Sequence, residues 1–316
     1  MPLTRLPLTD FRKLAEGIER PEDVVVSRDG RVFASVHQAT VAEILPDGTF
    51  KHLGPKRGAP NGINIDQRGQ IIVANFGIYD REAGPLEAFD LETGARAILL
   101  AAVEGRRLTA SNYPLIDSAG NIWCANSTSA ASWPEALDGR TDGFIYVMRP
   151  DGSSSIVADA LKFPNGLAIS ADERTLFCCQ TTGADVLRFS ILPGGRLGTG
   201  ERYGPRLGFI PPFAPNPNLR LPGLITRFLG YTDGCGMDAE GNLWVTLPAA
   251  HKIVAITPSG ERITLAHDPN GRILHQPTNV AWGGPDLRDL YIGSLSAPYV
   301  LKGRSPVPGL KLVHQK

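Results

Sequence analysis

The sequence predicts an all-β chain folded as a six-bladed β-propeller, with four antiparallel strands in each blade. Three observations predict it. One segment recurs six times, apolar residues alternate with period two inside each copy, and a second turn-centred hairpin follows each of the first five copies. The copies begin PEDVVVSRDGRVFAS at Pro21, PNGINIDQRGQIIVAN at Pro60 and SNYPLIDSAGNIWCAN at Ser111. They continue as PNGLAISADERTLFCC at Pro164, TDGCGMDAEGNLWVT at Thr232 and PTNVAWGGPDLRDLYIGS at Pro277. Their spacing, roughly 40 to 70 residues, suits one blade per copy.

Each copy has the same grammar. A polar residue opens it, and a first apolar strand follows, as in Val24 and Val26, Ile63 and Ile65, or Leu167 and Ile169. A turn such as Arg28-Asp29-Gly30 or Glu240-Gly241 leads into a second strand carrying Phe33, Ile72, Trp123, Phe177, Trp244 or Tyr291. Those large side chains are expected to pack between blades, which makes Trp123 and Trp244 core residues. The second hairpins turn at Asp47-Gly48, Thr93-Gly94, Asp151-Gly152, Gly194-Gly195 and Ser259-Gly260. The sixth copy lacks a partner for its outermost position. The run FRKLAEGI from Phe11 is expected to supply that strand, tying the two ends of the chain together and removing an open edge.

A repeat spread evenly over residues 1–316 argues for one domain, because a propeller needs all its blades to cover their faces. The 32 basic and 32 acidic side chains cancel, which offers nucleic acid or an anionic membrane no electrostatic footing. No apolar run approaches the ~20 residues of a membrane span. The first residues lack the apolar core of a secretory signal, and a cytoplasmic setting is expected. Cys124, Cys178, Cys179 and Cys235 show no CxxC spacing. They read as reduced core residues, not a thiolate metal site. Oligomeric state is not encoded in any of these signals.

Two stretches break the grammar, residues 126–143 and 203–231. The second is rich in Pro, Phe and Leu, and its Phe209, Ile210, Phe213, Leu221 and Phe228 argue against disorder. It is a candidate lid over the channel mouth, or a loop packed on the propeller or on another subunit.

Radial symmetry carries the functional argument. The second residues of the six copies, Glu22, Asn61, Asn112, Asn165, Asp233 and Thr278, should converge on the central axis. Glu22, Asn112, Asn165 and Asp233 offer two carboxylates and two amide oxygens. Hard donors of this kind suit Ca²⁺, with Mn²⁺, Mg²⁺ or Zn²⁺ as other possible ions. Two carboxylates leave the ion partly uncompensated, so it could act as a Lewis acid with open positions. Asn61 and Thr278 complete the ring as substrate contacts or as structural groups. His275, just ahead of the sixth copy, could reach the mouth as an acid or base, and His37 has the same ambiguity. Ser111 and Ser127 come without a G-x-S-x-G elbow, which disfavours a serine hydrolase.

The motifs PED at Pro21, PNGLAIS at Pro164, YTDGCGMDAEGNLWVT at Tyr231 and PTNVAWGGPDLRDLYIGS at Pro277 resemble the senescence-marker-protein/gluconolactonase/luciferin-regenerating-enzyme family of six-bladed propellers. The likeness spans nearly the whole chain. It implies a divalent metal, usually calcium, held at the channel centre by Glu22, Asn165 and Asp233, with Asn112 on the metal or on a nearby substrate. The first motif reads PED where the family more often has an EGP-like run, and its glutamate stands. The reaction expected is metal-dependent opening of a lactone ring. The metal would polarise the carbonyl, Asp233 would serve as base or nucleophile, and Asn61, Asn112, His275 and Thr278 would meet the substrate. Two other readings use the same fold: a metal-dependent phosphotriesterase or aryl-ester hydrolase, and a non-catalytic propeller that binds a ligand or partner.

Overall fold

The computed structural model describes residues 3–211 and 223–316 of the chain. Six antiparallel sheets are arranged as blades, each running outward from an inner strand. The inner strands are Val24–Val26, Pro60–Ile65, Ser111–Ile116, Pro164–Ile169, Cys235–Met237 and Pro277–Gly283. All six start within the opening residues of the sequence copies. The predicted second strands also form, as Val32–Ser35, Ile71–Asn75, Ile122–Asn126, Thr175–Gln180, Leu243–Leu247 and Asp289–Ser294.

The sixth blade closes as expected. Arg12–Leu14 pairs antiparallel with Val300–Arg304, Arg12 opposite Lys302 and Leu14 opposite Val300. The fourth blade departs from the simple hairpin. Its long third strand Asp185–Leu192 turns at Gly194-Gly195 into the two-residue strand Arg196–Leu197. The chain then breaks and returns as Glu201–Tyr203 to pair with Val186–Arg188. Gly198 and Gly200 lie in that break, where they weaken strand continuity. A small hairpin, Ala102–Val103 with Arg106–Arg107, is an addition that the repeat does not announce.

The core lies between blades, one apolar layer per seam. Val25 and Phe33 of the first blade meet Ile63 and Val73 of the second. Trp123 meets Leu167 and Phe189, and Trp244 meets Trp282. Trp123 and Trp244 are fully buried. Each indole donates 2.9 Å to an aspartate six residues earlier, Asp117 and Asp238 respectively. The polar edge of each ring is thus satisfied without exposing it. All four cysteines are buried and unpaired with one another.

Close approach of inner strands explains why Gly follows the ring position in three copies. A Cβ on Gly166 would lie 2.6 Å from Gly234 Cα, and one on Gly62 would lie 2.3 Å from Asn112 O. Backbone hydrogen bonds cross these seams, from Gly166 N to Asp233 O (3.1 Å) and from Gly234 N to Thr278 O (2.7 Å). No helix among the described residues is long and apolar enough to cross a membrane.

Candidate active site

Four inner strands share one local irregularity, and it makes the site. Pairing with the second strand holds at Pro60, Ser111, Pro164 and Pro277, shifts, and resumes at Ile63, Pro114, Leu167 and Val280. The bulged residues are Asn61-Gly62, Asn112-Tyr113, Asn165-Gly166 and Thr278-Asn279. A bulge leaves its residue out of the ladder and re-aims the side chain. Four of the six ring positions are thus freed from sheet pairing, whereas Glu22 and Asp233 lie just ahead of the strands Val24–Val26 and Cys235–Met237.

The two asparagines are oriented in the same way. Asn112 Nδ2 donates to Ser127 Oγ (3.0 Å) and Asn165 Nδ2 donates to Thr181 Oγ1 (3.1 Å). Each hydroxyl lies one residue beyond the end of the second strand. The Asn112 nitrogen is anchored in this way and its amide oxygen stays available, whereas the Asn165 amide also donates to Asp233. Glu22 and Asn165 are both almost fully buried, while Asp233 is half-buried.

The carboxylates sense each other. Burial raises the Asp233 pKa well above the carboxylate range, and the Glu22 charge adds to it, while Arg20 and a hydrogen bond from Asn165 oppose the rise. Burial likewise raises Glu22, against the pull of Arg20. One Glu22 oxygen, Oε2, is buried with no hydrogen-bond partner, although Arg20 Nη2 forms an ion pair with it at 2.9 Å. Two carboxylates coupled through their charge, together with the amide oxygens of Asn112 and Asn165, are donors of the kind that suit a hard divalent cation. No group of three or more His, Cys, Asp and Glu side chains converges among the described residues. A cation here would therefore depend on the asparagines.

Sequence reasoning missed Arg20. Its guanidinium donates to Asn61 Oδ1 (2.8 Å) and His37 Nε2 (2.8 Å), and lies 4.0 Å from the centre of the Tyr79 ring. His37 thus accepts through Nε2. Burial, with Arg20 and Lys56, holds its pKa down to about 4, so the imidazole is neutral. Tyr79 leads into an aromatic cluster, edge-on to Trp133 at 5.1 Å, with Phe76 stacked on Trp133 at 5.5 Å. Trp133 belongs to the 126–143 connection, in the short helix Trp133–Ala136. Repeat alignment contains a signal for Arg20. Two residues before each ring position stand Arg20, Ala59, Ala110, Phe163, Tyr231 and Gln276, and Arg20 alone among them is charged.

Thr278 and His275 sit differently from the ring donors. Thr278 Oγ1 donates to Glu22 O at 2.5 Å, fixing the backbone of the first copy to the last. His275 stacks on His251 with ring centres 5.0 Å apart, and its Nδ1 is 3.0 Å from Gly271 O. Asn61 is brought to the site through Arg20. Within the 203–231 loop, residues 212–222, with Phe213 and Leu221, lie outside the described residues. The stems are pinned together, Phe209 N to Phe228 O at 2.8 Å and Gly230 N to Phe209 O at 2.9 Å. Phe209, Leu224, Ile225 and Phe228 are exposed beside them.

Further along the inner strands the channel turns apolar. Val24, Ile169 and Met237 line a cavity of ≈ 40 Å³ there, together with Leu310, Leu312 and His314 of the chain's last segment. That segment is fastened by His314 Nε2 to Val26 O (3.0 Å) and Gln315 Nε2 to Trp282 O (3.0 Å). The polar ring and the apolar filling thus occupy opposite ends of one channel.

Residues 82–296 match the model of the SMP-30/Gluconolactonase/LRE-like region. The chain belongs to this family. Residues 7–40, which include Glu22 and Arg20, match the N-terminal region of strictosidine synthase-like proteins. As a family member, the chain is similar to the gluconolactonase of Zymomonas mobilis, 24% identical over 74% of this chain and 60% of that enzyme. It is also similar to the pentonolactonase XacC of Haloferax volcanii, 24% identical over 58% of this chain and 53% of that one. The matches thus span less than two thirds of these relatives. The fold resembles the gluconolactonase XC5397 of Xanthomonas campestris, with a TM-score of 0.71 at 20% identity, covering 96% of this chain and 94% of the other.

Proposed function

We propose that this chain opens a lactone ring by hydrolysis, with a divalent cation at the axial end of the channel. The reading is supported by family membership, by relatives named gluconolactonase and pentonolactonase, and above all by one observation. The Glu22 charge raises the Asp233 carboxyl, Asn165 donates to that carboxyl, and Asn112 and Asn165 are each held through the amide nitrogen by a hydroxyl. Glu22, Asn165, Asp233 and Asn112 would hold the cation, with Ca²⁺ preferred for the all-oxygen set over Mn²⁺, Mg²⁺ or Zn²⁺. A calcium-binding regucalcin from Agrobacterium tumefaciens shares the fold, with a TM-score of 0.65 at 17% identity over 94% of each chain. When bound, the ion supplies Lewis-acid polarisation of the ring carbonyl and stabilises developing negative charge on its oxygen.

The side chains do the rest. Asp233 takes the proton of the attacking water, or attacks the carbonyl carbon itself. Burial and the Glu22 charge raise its pKa, which makes the ionised form a stronger base than an ordinary carboxylate. Asn61 and Asn112 orient the substrate at the mouth, Thr278 holds the Glu22 backbone, and His275 would contribute from the rim. The aromatic cluster of Phe76, Tyr79 and Trp133 favours a lactone with a bulky apolar substituent, and it also fits an aryl ester. A screen of sugar, alkyl and aryl lactones, aryl esters and phosphotriesters, run with and without a chelator, tests the reading. Turnover of lactones that chelation abolishes is expected. Preference for phosphotriesters, or turnover indifferent to chelation, overturns it.

A further inference from the structure

We propose that Arg20 is a built-in counter-ion for the axial carboxylates, competing with the divalent cation and so setting how tightly it binds. The inference rests on the cation site proposed above and assigns a role to a residue outside the donor set.

Four observations carry it. The Arg20 side chain is 11% exposed and pairs with Glu22 at 2.9 Å, on a buried carboxylate oxygen that has no other partner. It is held in that place from three sides, by Asn61, by neutral His37 and by the face of Tyr79. Its backbone takes the left-handed conformation at φ 49°, and Glu22 N closes a tight turn onto Arg20 O at 2.8 Å. Phe163 and Gln276, at the same place in their copies, share that conformation with φ 54° and 41°. Three of the six copies therefore use a strained turn at this position, and only the first puts a charge there.

The consequence is electrostatic. With Arg20 in place, the two carboxylates in the ionised form that a cation binds and one guanidinium leave a single net negative charge facing it. Without it, the donor set carries two. Like charges close together in a partly desolvated site repel strongly, so a divalent ion must bind against Arg20 or displace it from Glu22. Weaker binding leaves the ion less compensated and a stronger Lewis acid. Arg20 also spares the cation-free protein a bare pair of buried carboxylates. It acts through Glu22 and is a positioning residue.

The test is Ca²⁺ titration of chelator-stripped protein by calorimetry, with thermal unfolding measured with and without Ca²⁺. Wild type is compared with Arg20→Met, Arg20→Gln and Arg20→Lys. The neutral variants are expected to bind Ca²⁺ roughly tenfold or more tightly. Their stripped Tm should fall below wild type, and their Ca²⁺-induced rise in Tm should exceed it. Arg20→Lys should stay near wild type. Equal or weaker Ca²⁺ binding by both neutral variants, with wild type still binding, overturns the counter-ion role and leaves the cation site intact. So does an equal loss of Tm in both states. Binding by neither wild type nor variants overturns both. Binding by the neutral variants alone supports competition and removes the resident cation from the native chain's chemistry.

Discussion

Asn279 donates its side-chain amide to Asp23 across the seam between the last blade and the first. Asp23 also accepts from Ile63 N of the second blade at 2.7 Å and from its neighbour Val24 N at 2.8 Å. One buried carboxylate thus links three blades directly beneath the axial ring. Asn279→Ala removes a donor and leaves that carboxylate short of a partner. A loss of about 1–3 kcal/mol in urea unfolding is expected. An unchanged midpoint would mean that the strand Arg12–Leu14 closes the ring unaided.

Asp233 is where turnover should be most sensitive. Asp233→Asn keeps the side-chain shape and removes the base. A fall in kcat/KM of about 10²-fold or more is expected, with the thermal transition retained. Lactone turnover at the wild-type rate would exclude Asp233 from the chemistry.

Ser127 and Thr181 are expected to act through the asparagines they hold. Thr181→Val frees the Asn165 amide and Ser127→Ala frees that of Asn112. Each should weaken cation binding about 10–100-fold with a smaller effect on stability, as loss of an orienting partner does. Ser127 Oγ also donates to Pro164 O at 2.8 Å, so Thr181→Val is the cleaner variant. Titration calorimetry on both variants decides the point, and wild-type affinity would contradict it.

His314 gives the fold a predictable acid sensitivity. Burial holds its pKa down to about 4, against an ordinary 6.5, so the folded protein keeps it neutral while the unfolded chain takes up a proton. Its contribution is full above pH 6.5, drains as pH falls, and is lost below about 4. The most it can be worth over that window is about 3 kcal/mol. His314→Gln keeps a donor for Val26 O and cannot titrate. Denaturation midpoints measured from pH 7 to pH 4 should therefore fall less steeply in the variant. Identical slopes would place the acid sensitivity elsewhere.

Much of this was legible from the chain alone. Period-two alternation, Gly-bearing turns and a sixfold repeat determine the blades, because strand and turn preferences are local and each copy reports them afresh. The same repeat aligned Glu22, Asn112, Asn165 and Asp233. It even foretold the use of FRKLAEGI, since a sheet short of a strand needs one from somewhere. What no local pattern encodes is direction and distance across the channel. The bulges at Asn61, Asn112, Asn165 and Thr278, Ser127 and Thr181 holding two of the asparagines, and Arg20 lying on Glu22 all depend on inner strands brought together only when the propeller closes. The last segment sealing the far end is of the same kind, for His314 meets Val26 across almost the whole chain length. Sequence determined which residue opens each copy, because the repeat is read locally. Tertiary structure decided how those residues face one another, because burial and neighbouring charge act through space.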